Sequence, residues 1–381
     1  MPPGENAMAV PRLADEARLQ LIAAHAIAED LPEPVWDPSS SQIDDGGQQR
    51  WRDPHPEHAQ QIARWIARWS HNRAENTTDS YAACLRHYFA YCEDAGAEWS
   101  DIVGLRDFLY GLAYPRIRYL QKLRRARKPK PLSRGQQPGV GWNTICQYHA
   151  AIAKAWATEG IERPSSYTVW REWFDGLHRH LAAPVDQKSG LLLEDLTAAL
   201  ATIDSRGKDL VALRDRAMLL LGWHAALRVS ELCALQVEDL HRGPSGWLLH
   251  IRHSKTDQFA QGRDKPLWPS EHQALCPIAA WQAWCQASGL GSGPLFRGMT
   301  KHGTLRAASL SSDSVRRILG QYVDVRNWGA HSLRIGYVTQ ARLAGAATEE
   351  IMVVTHHRRR EMVDHYAQQV DAHRQGPGSL S

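Results

Sequence analysis

Seven polar side chains in this chain ask for a chemical explanation: Arg228, Glu231, Lys255, His331, Arg334, His357 and Tyr366. The first two stand in AALRVSELCAL, Lys255 follows WLLHIR, and the other four fall within residues 331–366, HSLRIGYVTQARLAGAATEEIMVVTHHRRREMVDHY. Three permanent cations and two imidazoles without a matching cluster of acids suit a phosphodiester better than a carboxylate or a sugar. A pentacoordinate phosphorus transition state gathers negative charge on oxygens that arginine forks match. Arg228 lies where an apolar helix ends, with Ser230 as the expected N-cap and Glu231 in the first turn of the next helix. There it either projects its fork or pairs with Glu231 at the surface. His331 and Arg334 are three apart and share a face if a helix begins near Ser332. Gly345 can end that helix, and Thr348, Glu349 and Glu350 can start another. Zinc fits poorly: His356 and His357, adjacent on a helix, would point to different faces, and no carboxylate or cysteine completes a set with His331 and His365. Taken alone, Tyr366 reads as a core tyrosine, because Met362, Val363, Ala367 and Val370 surround it at helical spacing.

These residues need a frame to position them, and 381 residues with 43% hydrophobic content can build one. The length predicts two domains plus some unstructured sequence. The net charge of +4 draws on both signs, so where the charges sit matters more than their sum. Six cysteines (Cys84, Cys92, Cys146, Cys233, Cys276, Cys285) form no CxxC pair, and several lie among apolar helical positions. Reduced thiols and an intracellular compartment are expected. The N-terminus carries no signal-peptide pattern, and the apolar run near Met218 to Trp223 is too short to span a bilayer.

Residues 1–56 read as a flexible arm with one possible helix, Leu13 to Leu31, before a Pro/Ser/Gly/Asp-rich segment. From 57 to 181 the period is helical, predicting an all-α domain. Its helices fall near Ile62 to Trp69, Tyr81 to Cys92, Asp101 to Ala113, Asn143 to Thr158 and Ser166 to Leu181. Between the third and fourth of these lies RIRYLQKLRRARKPKPLSRG, where Arg116, Arg118, Lys122, Arg124, Arg125, Arg127, Lys128, Lys130 and Arg134 occur without one acid. Such a run repels itself unless it meets a polyanion, so contact with a nucleic-acid backbone is the expectation, a solvated loop the alternative. Residues 182–190 form a linker. The domain 191–381 is mainly helical, with a hairpin of Trp247 to Arg252, a turn from Lys255 to Gly262, and Lys265 to Trp268 returning.

The order R-x-x-E, a hairpin lysine, H-x-x-R, H and Y resembles that of the tyrosine recombinase (phage integrase) family, and SLRIGYVTQARLAGAATEEIM is similar to its Cre-like branch. The likeness spans Glu57 to Tyr366, diffuse in the first domain and specific in the second. It implies a two-lobed DNA clamp: an all-α core-binding (SAM-like) domain and an α/β, mostly helical catalytic domain. It also assigns roles. Arg228 and Arg334 grip the scissile phosphate, Glu231 supports the site, Lys255 protonates the 5′-oxygen, and His331 handles the tyrosine's proton. His357 hydrogen-bonds a phosphate oxygen, and Tyr366 is the nucleophile. Two positions depart from the family pattern: His356 replaces the usual glycine, and Ile335 follows Arg334. The resemblance implies site-specific recombination through a 3′-phosphotyrosine and a Holliday junction, on double-stranded DNA with inverted repeats, by a homotetramer on two sites. It implies no cofactor or metal, and a cytoplasmic, nucleoid-associated protein. A type IB topoisomerase or telomere resolvase uses similar chemistry without reciprocal exchange, and a non-catalytic DNA-binding protein on this fold is the other rival. Residues Ala367 to Arg374 suit either a helix docked on the next protomer or a frayed tail.

Overall fold

The computed structural model describes residues 16–24, 33–34, 53–71, 75–126, 138–182, 189–207, 209–252, 262–325, 328–329, 331–357 and 359–364. The chain divides into two compact units, Met1–Pro184 and Val185–Ser381. Both are mainly helical, and the second adds small antiparallel sheets.

The first unit holds α1 (Glu16–Ala24), α2 (Pro56–Ser70), α3 (Glu75–Ala95), α4 (Ile102–Arg125), α5 (Trp142–Thr158) and α6 (Thr168–Leu181). The apolar stripe Ile62, Trp65, Trp69 of α2 meets Leu85, Tyr88 and Phe89 of α3 in one aromatic-rich core. Expected as part of a flexible arm, α1 instead belongs to this core. Ile22 is buried, Arg106 Nη1 donates to Leu21 O at 2.7 Å, and Arg18 pairs with Asp101 at 2.6 Å.

A second departure is the length of α4. Pro115 reads as a helix stop because it lacks an N–H and crowds the preceding turn, yet the helix runs through it to Arg125. Ile117 and Leu120 prolong the stripe of Leu105, Leu109 and Leu112, and their burial outweighs the local cost. Half of the expected basic connection is therefore helix. Arg118, Lys122 and Arg125, four and three residues apart, fall on one exposed face of α4, while Arg124 Nη2 is held by Ala182 O. Arg127, Lys128, Lys130 and Arg134 lie outside the described residues.

The second unit runs α7 (Leu193–Asp204), α8 (Leu210–His224), α9 (Val229–Ala234), β1 (Leu240–Gly243), β2 (Gly246–Ile251), β3 (Arg263–Leu267) and α10 (Pro277–Ser288). It continues with β4 (Arg297–Met299), β5 (Leu305–Ser309), α11 (Ser312–Gly320), α12 (Ser332–Leu343) and α13 (Thr348–Thr355). The expected hairpin β2–β3 gains β1 as a third strand, in the order β1-β2-β3. β1 and the β4–β5 pair are too short and too polar to show a period of two. The core is built on α8, whose residues Ala217 to Gly222 are apolar or glycine all round the helix and buried. Among the described residues no helix is long and apolar enough to cross a membrane.

One glycine sets where α12 lies. A Cβ on Gly336 would stand 1.9 Å from Leu191 O. Leu191 N–H in turn donates to Ser332 O at 2.9 Å, and Leu191 O accepts from Trp223 Nε1 at 2.8 Å. Backbone cannot yield as a flexible side chain does, so Gly336→Ala should destabilise the second unit by roughly 1–3 kcal/mol or more. Urea denaturation of the variant against the parent protein measures this, and an unchanged midpoint would contradict the close contact.

Candidate active site

The site grows from the way two helices end. In α8, Ala226 N–H donates to Trp223 O and Leu227 N–H to Gly222 O, with Ala226 at φ 47°. This is a Schellman closure, whose left-handed residue is usually glycine. α13 closes in the simpler way: His356, at φ 54°, donates its N–H to Met352 O at 2.8 Å. Ala226 and His356 are the two non-glycine residues with positive φ among those described. Both abut the same side chain.

That side chain is Arg334, in the first turn of α12 and 2% exposed. Its Nη1 donates to Ala226 O at 2.9 Å, its Nη2 to Thr355 O, and its Nε to His357 Nε2 at 3.2 Å. Thr355 O is one of the carbonyls a helix leaves unbonded at its C-terminal end, and Ala226 O lies one residue past the C-cap of α8; at both ends the helix dipole favours a cation. Next along the turn, Ala225 O accepts from Lys265 Nζ at 2.8 Å. Three residues after Ala225, Arg228 is the N-cap of α9, and Glu231, not Ser230, closes that N-terminus. The Glu231 carboxylate accepts from Arg228 N–H at 3.0 Å and from Arg228 Nη1 at 2.6 Å.

The electrostatics follow from three cations around one buried acid. Burial pushes the Glu231 carboxyl up, but Lys265 and the N–H and guanidinium of Arg228 outweigh it, and its pKa ends below the usual value. Burial brings Lys265 down to about 7; Glu231 opposes that shift while Arg334 and Arg228 add to it. His357 is lowered to about 3 by burial and then by Arg334, Arg228 and Lys265, so its ring is neutral near pH 7. With Arg334 donating to Nε2, the proton of that neutral ring sits on Nδ1.

Residues 191–373 match the family model described as "Phage integrase family". That segment, a little under half of the chain, is therefore a phage-integrase-family domain. Among curated relatives, the integrase/recombinase XerD homolog of Selenomonas ruminantium is 27% identical, over 78% of this chain and 83% of its own. The recombinase Cre of Escherichia phage P1 is 23% identical, over 73% and 80%. Of the solved structures, a lambda integrase dimer bound to a COC' core site shares the fold, with a TM-score of 0.51 at 14% identity over 81% of this chain and 76% of that one.

In this recombinase fold Arg228, Glu231, Arg334 and His357 come together, whereas His331 stands exposed at the N-cap of α12. Lys255 and Tyr366 lie outside the described residues. Val363, the last buried residue described before Tyr366, packs against Val338 and Ile351. His356 and His357 do not sit on a helix, as their adjacency suggested; α13 stops at Thr355 and His356 turns the chain. Among the described residues no group of three or more His, Cys, Asp or Glu gathers as a cation site. Sequence alone places Lys265 at the start of the return strand and gives it no part in the site. Its signal was the strand alternation, which puts it in phase with buried Leu267.

Two outcomes follow. His356→Gly should relieve left-handed strain and raise stability by about 0.5–1 kcal/mol, read by urea denaturation. The second concerns acid. Burial lowers His87, His149, His224 and His356 to about 4, and His357 to about 3, from 6.5. Between those values the unfolded chain binds more protons, so stability is present above 6.5 and lost as pH falls toward 4. Asp215, raised by burial, works the other way as one group against five. The urea midpoint should therefore be lower at about pH 5 than at about pH 7; a rise would contradict the buried, neutral histidines.

Proposed function

We propose that this chain is a site-specific DNA recombinase that works through a covalent tyrosine ester. Its first domain, residues 57–181, binds DNA, and its second, 191–381, carries the chemistry. The observation that supports this best is the charge of the cluster: among the described residues, the half-buried Arg228 and the buried Lys265 and Arg334 gather around the carboxylate of Glu231. Desolvated positive charge of that density has one natural complement, an anion whose charge is spread over several oxygens.

The Tyr366 oxygen attacks the scissile phosphorus and passes its proton to His331. The bond from phosphorus to the 5′-oxygen breaks, and Lys255 supplies the proton that this oxygen takes up. A 3′-phosphotyrosine and a free 5′-hydroxyl result, and the tyrosyl ester retains the energy of the phosphate ester. Arg228 and Arg334 hold the non-bridging oxygens as charge builds on them, and the Nδ1–H of His357 adds a neutral donor. Glu231 keeps Arg228 in place. Attack by the 5′-hydroxyl of a second site reverses the step on a new strand, and two rounds pass through a Holliday junction. Two protomers on each of two inverted-repeat sites make a homotetramer. Arg118, Lys122 and Arg125, together with Arg116, Arg124, Arg127, Lys128, Lys130 and Arg134, contact the backbone and position the DNA without specifying its sequence. Relatives named as the recombinase Cre and an integrase solved on its core site agree with this reading.

The test is a nicked duplex built on inverted repeats sought in the DNA that flanks the gene, incubated with the full chain and resolved under denaturing conditions. The parent protein should yield a covalent protein–DNA adduct. Tyr366→Phe should bind with similar affinity and yield none. Adduct persisting in that variant would remove Tyr366 from the role, and relaxation of arbitrary supercoiled DNA without exchange would make the protein a topoisomerase.

A further inference from the structure

Lys265 occupies a place where an apolar side chain is expected. On β3 the alternation buries Lys265 and Leu267, and across the ladder Lys265 pairs with Leu249, itself buried. The residue is 1% exposed. Its described hydrogen bond is one, to Ala225 O. A neutral donor could satisfy that carbonyl, since one such bond contributes about 1 kcal/mol, whereas the burial of an ammonium group costs several kcal/mol. A lysine here is thus poorly explained by folding alone, and its surroundings supply the rest of the explanation. The carbonyl it holds belongs to the turn 225–228, which is strained at Ala226, gives Ala226 O to Arg334 and then presents Arg228. The acid whose charge bears most strongly on it is Glu231, the acid that grips Arg228.

We propose that Lys265 is a positioning residue: it clamps the Ala225 carbonyl and balances Glu231 so that the 225–228 turn holds Arg228 and Arg334 on one phosphate. It acts through the turn and does not hand a proton to the leaving oxygen, the part assigned to Lys255. The inference rests on the strand-transfer reading above.

A sulfur substitution separates the two lysines. When the 5′-bridging oxygen is replaced by sulfur, the leaving group departs as a thiolate and needs no proton donor. The full chain, Lys255→Ala, Lys265→Met and the double variant Glu231→Gln/Lys265→Met are compared on nicked duplexes with oxygen or sulfur at that position. Single-turnover adduct formation, DNA affinity and the unfolding midpoint are read for each. Lys265→Met should form adduct on the order of 10–100 times more slowly at near-parental DNA affinity, a loss typical of a displaced catalytic group. Sulfur should restore Lys255→Ala and leave Lys265→Met slow. The double variant removes both buried charges and keeps the fold without a lone ion; it too should be slow on both substrates. Parental rates in either Lys265 variant overturn the proposal, as does rescue of Lys265→Met by sulfur, which would make it a proton donor. Unfolding of both variants would assign Lys265 to folding alone and overturn it equally. A parental chain that forms no adduct on either duplex fails the strand-transfer reading itself.

Discussion

The second unit is organised around a demand made by one guanidinium. Arg334 is removed from water, and a buried cation is tolerated only where acceptors surround it. The fold meets that demand with the carbonyls of two helix ends, Ala226 O from the turn after α8 and Thr355 O at the last residue of α13. Helix ends offer what an interior turn cannot, namely carbonyls without an intrahelical partner and the negative end of the dipole. To bring both to one side chain, each chain must reverse sharply, and each does so through a left-handed residue that is not glycine. The strain, of order 1–3 kcal/mol at each, is held in place by the bonds it makes possible.

From that arrangement the remaining geometry follows. The reversal at Ala226 carries the chain to Arg228, and the reversal at His356 carries it to His357, so both enter the site at fixed distances from Arg334. Gly336 and Leu191 seat α12 by backbone contact, a harder constraint than side-chain packing, and so hold the platform on which Arg334 stands. Glu231 joins the strained turn to α9 by bonding both the backbone and the side chain of Arg228.

Much of this was legible in the residues and some of it was not. Helices with a clean apolar stripe, such as α2, α3 and α5, declared themselves because burial dominates their energetics. α4 was cut short because Pro115 speaks locally while Ile117 and Leu120 speak through the core. The helix in the expected arm was visible, but its docking through Ile22 depends on α4 and α6, which no local pattern reveals. Arg228, Glu231, Arg334 and His357 could be singled out by type and order. Lys265 was hidden because a lysine in a short polar strand looks exposed until the register places it opposite Leu249. The departure at His356 was noticed as a missing glycine, and its meaning needed a backbone angle.

The depressed pKa of Lys265 ties the cluster to the solution around it. Burial brings this lysine down to about 7, so its charge is easier to lose in the empty protein than that of an ordinary lysine. An anion held by Arg228 and Arg334 beside Lys265 favours the charged ammonium and draws a proton from the buffer as it enters. Occupancy of this site and proton uptake are therefore thermodynamically linked: anion affinity must weaken as pH rises through neutrality, and the heat of binding must depend on the buffer that surrenders the proton.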